Sequence, residues 1–213
     1  KLSPLWGPRE WPSRDAVSQR EVTMTTVRQI EFGGGDPAKK RGVFAAITAT
    51  ARLYEHYEDP SMSPDDRQRI YPLVLMVQRR DGTIGFVGGF TEGRDPLVQL
   101  ADELSYELGV KDVKAFDFVP LVSHETDDLI VDLYRCNVGR GPTDVIPVRH
   151  LRRVIEGAAT VNRSISEGNV FWAHLVDYGK GRGFPALRRS SLATAVGEEL
   201  DVLFALVNSE LQR

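Results

Sequence analysis

Gly85-Phe-Val-Gly-Gly-Phe-Thr-Glu-Gly-Arg-Asp-Pro-Leu-Val-Gln-Leu-Ala-Asp-Glu-Leu-Ser-Tyr-Glu-Leu-Gly-Val110 is the stretch on which the fold turns. Gly88-Gly89 leaves a strand, a short loop follows, and a helix is then marked at both ends. Asp95 suits the N-cap, and Pro96 the first helical position, where a missing N–H is of no consequence. Gly109 is a natural stop, because glycine accepts the left-handed conformation that closes a helix. The spacing predicts a helix over Pro96–Leu108 with Leu97, Leu100, Ala101, Leu104 and Leu108 as its buried stripe. Glu103 and Glu107 stand one turn apart at the edge of that stripe. Two carboxylates so placed, facing a glycine-rich turn, are the donor type that holds Mg²⁺ against a diphosphate. A surface helix can carry the same pair with no ligand, so spacing alone leaves the metal open.

Around this segment the pattern is one of mixed strands with few helices, an α+β layout. Val43 to Tyr54 suits a strand. Asp59 to Gln68, punctuated by Pro60 and Pro64, reads as a loop. Leu73–Val77 and Thr83–Val87 flank Asp81-Gly82, a strong turn dipeptide, and read as a hairpin. Strands follow around Phe116–Val122 and Leu129–Tyr134, then a short basic helix over roughly Val148–Glu156 and a strand over Val170–Val176. A C-terminal helix over about Leu192–Leu211 takes Ser190 or Ser191 as its cap.

At 213 residues the chain suits one domain. The division expected is an arm over 1–28, rich in Pro and carrying Trp6 and Trp11, followed by a domain over 29–213. Two tryptophans in so polar an arm must dock somewhere, on the chain's own body or on a protein partner. The formal net charge of −3 excludes the overall basic excess of a nucleic-acid coat, so any RNA contact must come from local patches. Arg149, Arg152 and Arg153 form one such basic edge beside His150. Lys180, Arg182, Arg188 and Arg189 form another. A solvated face is the default reading of both, phosphate contact the alternative. A single cysteine, Cys136, rules out a disulfide within the chain and reads as a buried structural thiol. The four histidines, His56, His124, His150 and His174, have no ligand or triad spacing, and His124 is placed in a loop bordering the cleft. No apolar run approaches the roughly 20 residues that span a bilayer. An intracellular place is expected. The mitochondrion is among the options because the sequence opens at Lys1 without an initiator Met, as it does when a presequence is removed or a terminus trimmed.

The Gly85–Val110 stretch resembles a Nudix box: a glycine, a Glu-containing loop, then Arg-Glu-x-x-Glu-Glu-x-Gly on a helix. More narrowly, Asp81-Gly82, Gly85-Phe86 and Gly88-Gly89-Phe90 resemble the small nucleolar RNA-decapping Nudix hydrolases and their catalytically degenerate relative syndesmos. Ser123-His124, Leu133-Tyr134 and Gly183-Phe184-Pro185 follow in matching order. The resemblance implies a Nudix fold, a mixed sheet sandwiched between helices. It implies that Glu92, Glu103 and Glu107 gather to hold Mg²⁺ or Mn²⁺, with Glu103 and Glu107 catalytic. It further implies a nucleotide site at Phe86, Gly88, Gly89 and Phe90, the two aromatics sandwiching a purine. The box is depleted, however. Asp102 stands where the motif has Arg, reversing the local charge, and Tyr106 stands where it has its middle Glu. The subfamily's purine-contacting histidine falls near Ile47, and a glutamine near Glu199. The expectation is a degenerate, non-catalytic Nudix-fold protein, a pseudoenzyme. It would bind RNA, nucleotide or protein partners in an RNA-processing or ribonucleoprotein assembly. The rival is a Mg²⁺-dependent pyrophosphohydrolase acting on RNA 5′ ends, caps or nucleoside diphosphates. A structural subunit with an empty cleft is the third possibility.

Overall fold

The computed structural model describes residues 26–52, 69–110, 116–139, 141, 144–162 and 168–212. The arm with Trp6 and Trp11, the loop at 59–68 and His56 lie outside the described residues.

The long strand β2 (Lys40–Ala51) is the spine of the sheet, buried almost without break from Gly42 onward. That is the apolar run of a strand covered on both faces. Along one edge it pairs in parallel with β7 (Leu129–Asn137). Its other edge is divided between two antiparallel partners, β5 (Val87–Phe90) at Gly42–Ala45 and β3 (Tyr71–Gln78) at Thr48–Ala51. Beyond β7 lies β6 (Val119–Glu125), and beyond that β1 (Arg28–Ile30). β3 carries the two-residue β4 (Ile84–Gly85) and β8 (Asn169–His174), completing an eight-stranded mixed sheet. Arg28 of β1 pairs with Glu125 of β6.

The two-residue period of the strands sends alternate side chains to opposite faces. Val43, Ala45 and Ile47 meet Leu100, Leu104 and Leu108 of α1 (Pro96–Leu108), with Ala158 of α2 (Val148–Asn162). Ala46, Val74, Met76 and Leu133 face Leu200, Leu203 and Val207 of α4 (Val196–Leu211), with Phe184 of α3 (Phe184–Arg188) between. Each such buried leucine stabilises the fold by about 1.5–3 kcal/mol relative to exposure. Phe184 and Phe204 stack at 4.0 Å between centroids and tie α3 to α4. Cys136 is buried in β7, and burial above all, with Asp117 adding to it, pushes its thiol up to about 12, consistent with an inert structural role.

α1 begins and ends as read: the Asp95 carboxylate accepts from the N–H groups of Leu97 and Val98, and Gly109 closes the helix at φ 67°. Four readings need correction. Leu97 is 44% exposed, because the first turn of α1 overhangs the sheet rather than lying on it. The return limb of the hairpin is split. Only Ile84–Gly85 pairs with β3, and the chain then crosses at Phe86 so that β5 joins β2. The C-terminal helix starts at Val196, not Leu192. The Ile84 N–H donates to the Ser191 carbonyl at 2.7 Å, and the Ala193 N–H donates to the Ile84 carbonyl at 2.9 Å. The sheet edge claims these backbone groups before a helix can, and neither Ser190 nor Ser191 caps it. Ala195, at φ 67°, holds the N-cap position with no side-chain bond, while Glu198 and Glu199 complement the dipole of the first turn. α2 also runs to Asn162, well past the short helix expected.

Candidate functional site

A cleft of about 790 Å³ opens between α1, the β5 edge and the start of α4. Its position follows from the glycines of β5. Gly88 has φ 140°, and a Cβ there would lie 2.2 Å from the Val43 carbonyl oxygen, so only glycine lets β5 approach β2 this closely. A Cβ on Gly89 would lie 2.4 Å from Oε1 of Glu103. The bare backbone of Gly89 is thus the seat of that carboxylate.

Glu92, Glu103 and Glu107 all line the cleft. Their settings differ. Glu103 accepts a hydrogen bond from Nε2 of Gln99 at 2.7 Å, one helical turn back. Glu107 is buried, and Glu92 is exposed on the loop at φ 48°. Among the described residues, no three His, Cys, Asp or Glu side chains come close enough together to hold a metal ion. A hard divalent cation asks for converging oxygens, several of them carboxylate, and here two come from the helix while the third stays on the loop. The residues as arranged do not fit Mg²⁺ or Mn²⁺. The two substitutions read in the sequence agree with this. Asp102 is exposed and forms an ion pair with Arg94 of the loop at 3.2 Å. Tyr106 is 53% exposed and adds no oxygen to the cleft.

The aromatic pair divides. Phe90 is 49% exposed at the mouth of the cleft. Phe86 is 2% exposed and packed in the core against the α4 side, so it underlies the cleft without an open face for a base. Its place at the crossing between β4 and β5 turns it inward, a correction to the purine sandwich. Ile47 is likewise core. The ring that the sequence reading missed is Phe44, half-buried in the cleft wall with the Arg79 guanidinium 5.9 Å above it. Only the antiparallel register of β2 with β5, which sets Phe44 opposite Gly88, reveals it.

Glu199, on the first turn of α4, lines the cleft but is 1% exposed, and burial raises its pKa while His124 opposes the shift. Oε1 of Glu199 and Nδ1 of His124 lie 3.9 Å apart, too long for a direct hydrogen bond. His124 stands in β6, buried, and not in a loop at the cleft rim. Arg149, Arg152 and Arg153 are exposed on α2 and do not line the cleft. Of the second basic group, Arg188 is tied to Asp201 by two bonds of 2.9 Å, and Arg189 donates to the Gly181 carbonyl at 2.5 Å.

No family model matches the sequence, and no curated protein matches it by sequence. Solved structures do match by shape. A MutT/nudix family protein from Enterococcus faecalis superposes with a TM-score of 0.52 at 14% identity, over 83% of this chain and 64% of that one. This chain therefore spans less than two thirds of the Enterococcus protein's length. A Bacillus subtilis pyrophosphohydrolase gives 0.46 at 10% identity, over 87% of this chain and 91% of that one. A MutT protein from Methanosarcina mazei gives 0.44 at 15% identity, over 84% and 100%. The first likeness bears on the fold alone. The chain has the Nudix fold, an α+β sandwich with its mixed sheet between helices.

Proposed function

We propose that this protein is a non-catalytic member of the Nudix superfamily, related to the degenerate branch its box resembles, and that its cleft binds a nucleotide or RNA end without hydrolysing it. The observation that carries the reading is the arrangement of the acids. Glu103 is engaged by Gln99, Asp102 turns to Arg94, and among the described residues no third carboxylate closes on the pair. A hydrolase of this fold needs a cation to turn water into a nucleophile and to neutralise the diphosphate. What remains is a binding surface. Phe90 offers an open aromatic face at the mouth, and Arg79 and Arg94 supply the positive rim for phosphate. Stacking of one base on such a ring is worth about 1–3 kcal/mol. A place in an RNA-processing or ribonucleoprotein assembly suits such a protein, with Trp6 and Trp11 as the contact for protein partners and Arg149, Arg152 and Arg153 as a further RNA edge.

Hydrolysis of nucleoside diphosphates and of capped or triphosphorylated RNA, with Mg²⁺ or Mn²⁺, tests the proposal beside Glu107→Gln. The expected result is no turnover in either protein, together with ADP binding that Phe90→Ala weakens. Turnover that disappears in Glu107→Gln would establish the rival pyrophosphohydrolase.

A further inference from the structure

A second groove, of about 820 Å³, runs along the other side of the β5–α1 loop. Phe90, Glu92 and Arg94 line both cavities, so the loop is the wall between them and Phe90 stands at the crossing. The two sides differ in charge. The cleft holds five carboxyl groups, among them Glu92, Glu103 and Glu107, against the two arginines Arg79 and Arg94. The groove sets Lys39, Lys40, Arg41 and Arg94 against Asp36, Glu92 and Asp132. With its two arginines outnumbered by acids, the cleft holds few phosphates, and the nearest cationic surface for further ones lies across Phe90.

The groove is also built rather than incidental. Its floor is a set of ion pairs running from the β1–β2 loop to β6 and β7. Asp132, 1% exposed, is held by Arg41 and by the Ser123 hydroxyl, each at 2.5 Å. Lys39 bonds Glu125 at 3.0 Å and the Thr126 carbonyl at 2.7 Å. Phe32 meets Tyr134 edge-on at 5.0 Å and forms an aromatic wall. Lys40 is exposed on the groove and takes no part in that floor. Aromatic rings interleaved with cations along a channel are the recognition chemistry of single-stranded nucleic acid.

We infer that the groove continues the nucleotide cleft, and that the ligand is a single-stranded RNA whose chain crosses from one cavity to the other over Phe90. The inference rests on the nucleotide-binding reading above and adds the length and path of the ligand. A base stacks at Phe90, and the phosphates leave the acidic cleft for Lys40 and Arg94.

Fluorescence anisotropy with a labelled octaribonucleotide, and competition by ADP, separates the two claims. The octamer is expected to bind about tenfold tighter than ADP and to lose about sevenfold in affinity between 50 and 200 mM salt, the dependence that about two added phosphate contacts give on a single strand. Lys40→Glu is expected to remove most of that gain while leaving ADP binding unchanged. Equal affinity for octamer and ADP, or a gain that survives Lys40→Glu, overturns the path across Phe90 and leaves the cleft reading standing. Failure of both ligands to bind overturns the cleft reading and this inference with it.

Discussion

Gly88 of β5 lies so close to Val43 of β2 that a Cβ on the glycine would sit 2.2 Å from the Val43 carbonyl oxygen, while a Cβ on its neighbour Gly89 would meet the Glu103 carboxylate at 2.4 Å. The first obstacle is backbone, the second the end of a flexible side chain. Gly88→Ala is therefore expected to cost about 3 kcal/mol or more, through strain at positive φ and a broken β2–β5 ladder. Gly89→Ala should fold with a far smaller loss and displace Glu103 from its seat. Denaturant midpoints measure the first effect, and ADP affinity together with the melting temperature the second. Equal stability losses for the two variants would contradict the geometry.

Burial of Glu199 makes stability depend on pH. Burial raises the Glu199 pKa above its ordinary 4.5 in the folded state. For an acid shifted upward, the folded chain holds the proton more firmly than the unfolded one. Its contribution is thus fully present below about pH 4.5 and declines as pH climbs through the raised value. Glu199→Gln removes the titrating group and keeps the shape. The variant should therefore gain on wild type as pH rises from 4.5 toward neutrality. Parallel melting curves for the two proteins from pH 4 to 8 would refute this.

Much of the fold was legible because local signals agreed with one another. Asp95, Pro96 and Gly109 bound α1, and the apolar runs at β2, β3 and β7 sat where the sheet required them. What the sequence did not disclose was tertiary. Leu192 carries the right spacing for α4 but bridges to Ile84, since a neighbouring strand edge offers its backbone better bonds than a nascent helix does. Phe86 and Phe90 look equivalent as aromatics flanking a glycine pair. Chain crossing sends one to the core and leaves the other open. Phe44, Gln99 and Arg79 carried no signal of their own, being ordinary strand, helix and turn residues until the register of β2, β3 and β5 brought them to one cleft.

The groove floor responds to acid in the opposite sense to Glu199. Arg28 and then Lys39 hold the Glu125 carboxyl at about 2, well below its ordinary 4.5. A depressed carboxylate gives stability above its unfolded pKa, so this contribution should fade as pH falls from about 4.5 toward 2. Protection factors of the β1–β2 loop amides against hydrogen exchange should fall over that window in wild type. Glu125→Gln should show low protection already at pH 6, with little further change in acid. Protection that stays constant to pH 2.5 in wild type would show that these ion pairs do not hold the loop.

The Arg94–Asp102 contact gives the most direct test of the charge order read in the box. The motif places its Arg on the helix and its Glu in the loop, and here the acid sits on the helix and the base in the loop. Arg94→Glu with Asp102→Arg keeps the surface ion pair and restores that polarity, and Tyr106→Glu adds the missing helical acid one residue before Glu107. All three sites are exposed, so the fold should tolerate the changes with a loss within about 0.5 kcal/mol each. If charge order and ligand number are what the chain lacks, the triple variant should bind Mn²⁺ about ten- to a hundredfold more tightly than wild type, the usual scale for orienting groups around a metal. Titration followed by Mn²⁺ electron paramagnetic resonance reads this directly, and Glu107→Gln in the triple background should abolish the gain. A triple variant no better than wild type would mean that the obstacle lies in the backbone path from Gly89 to Asp95, which holds Glu92 away from the helical pair whatever the charges around it.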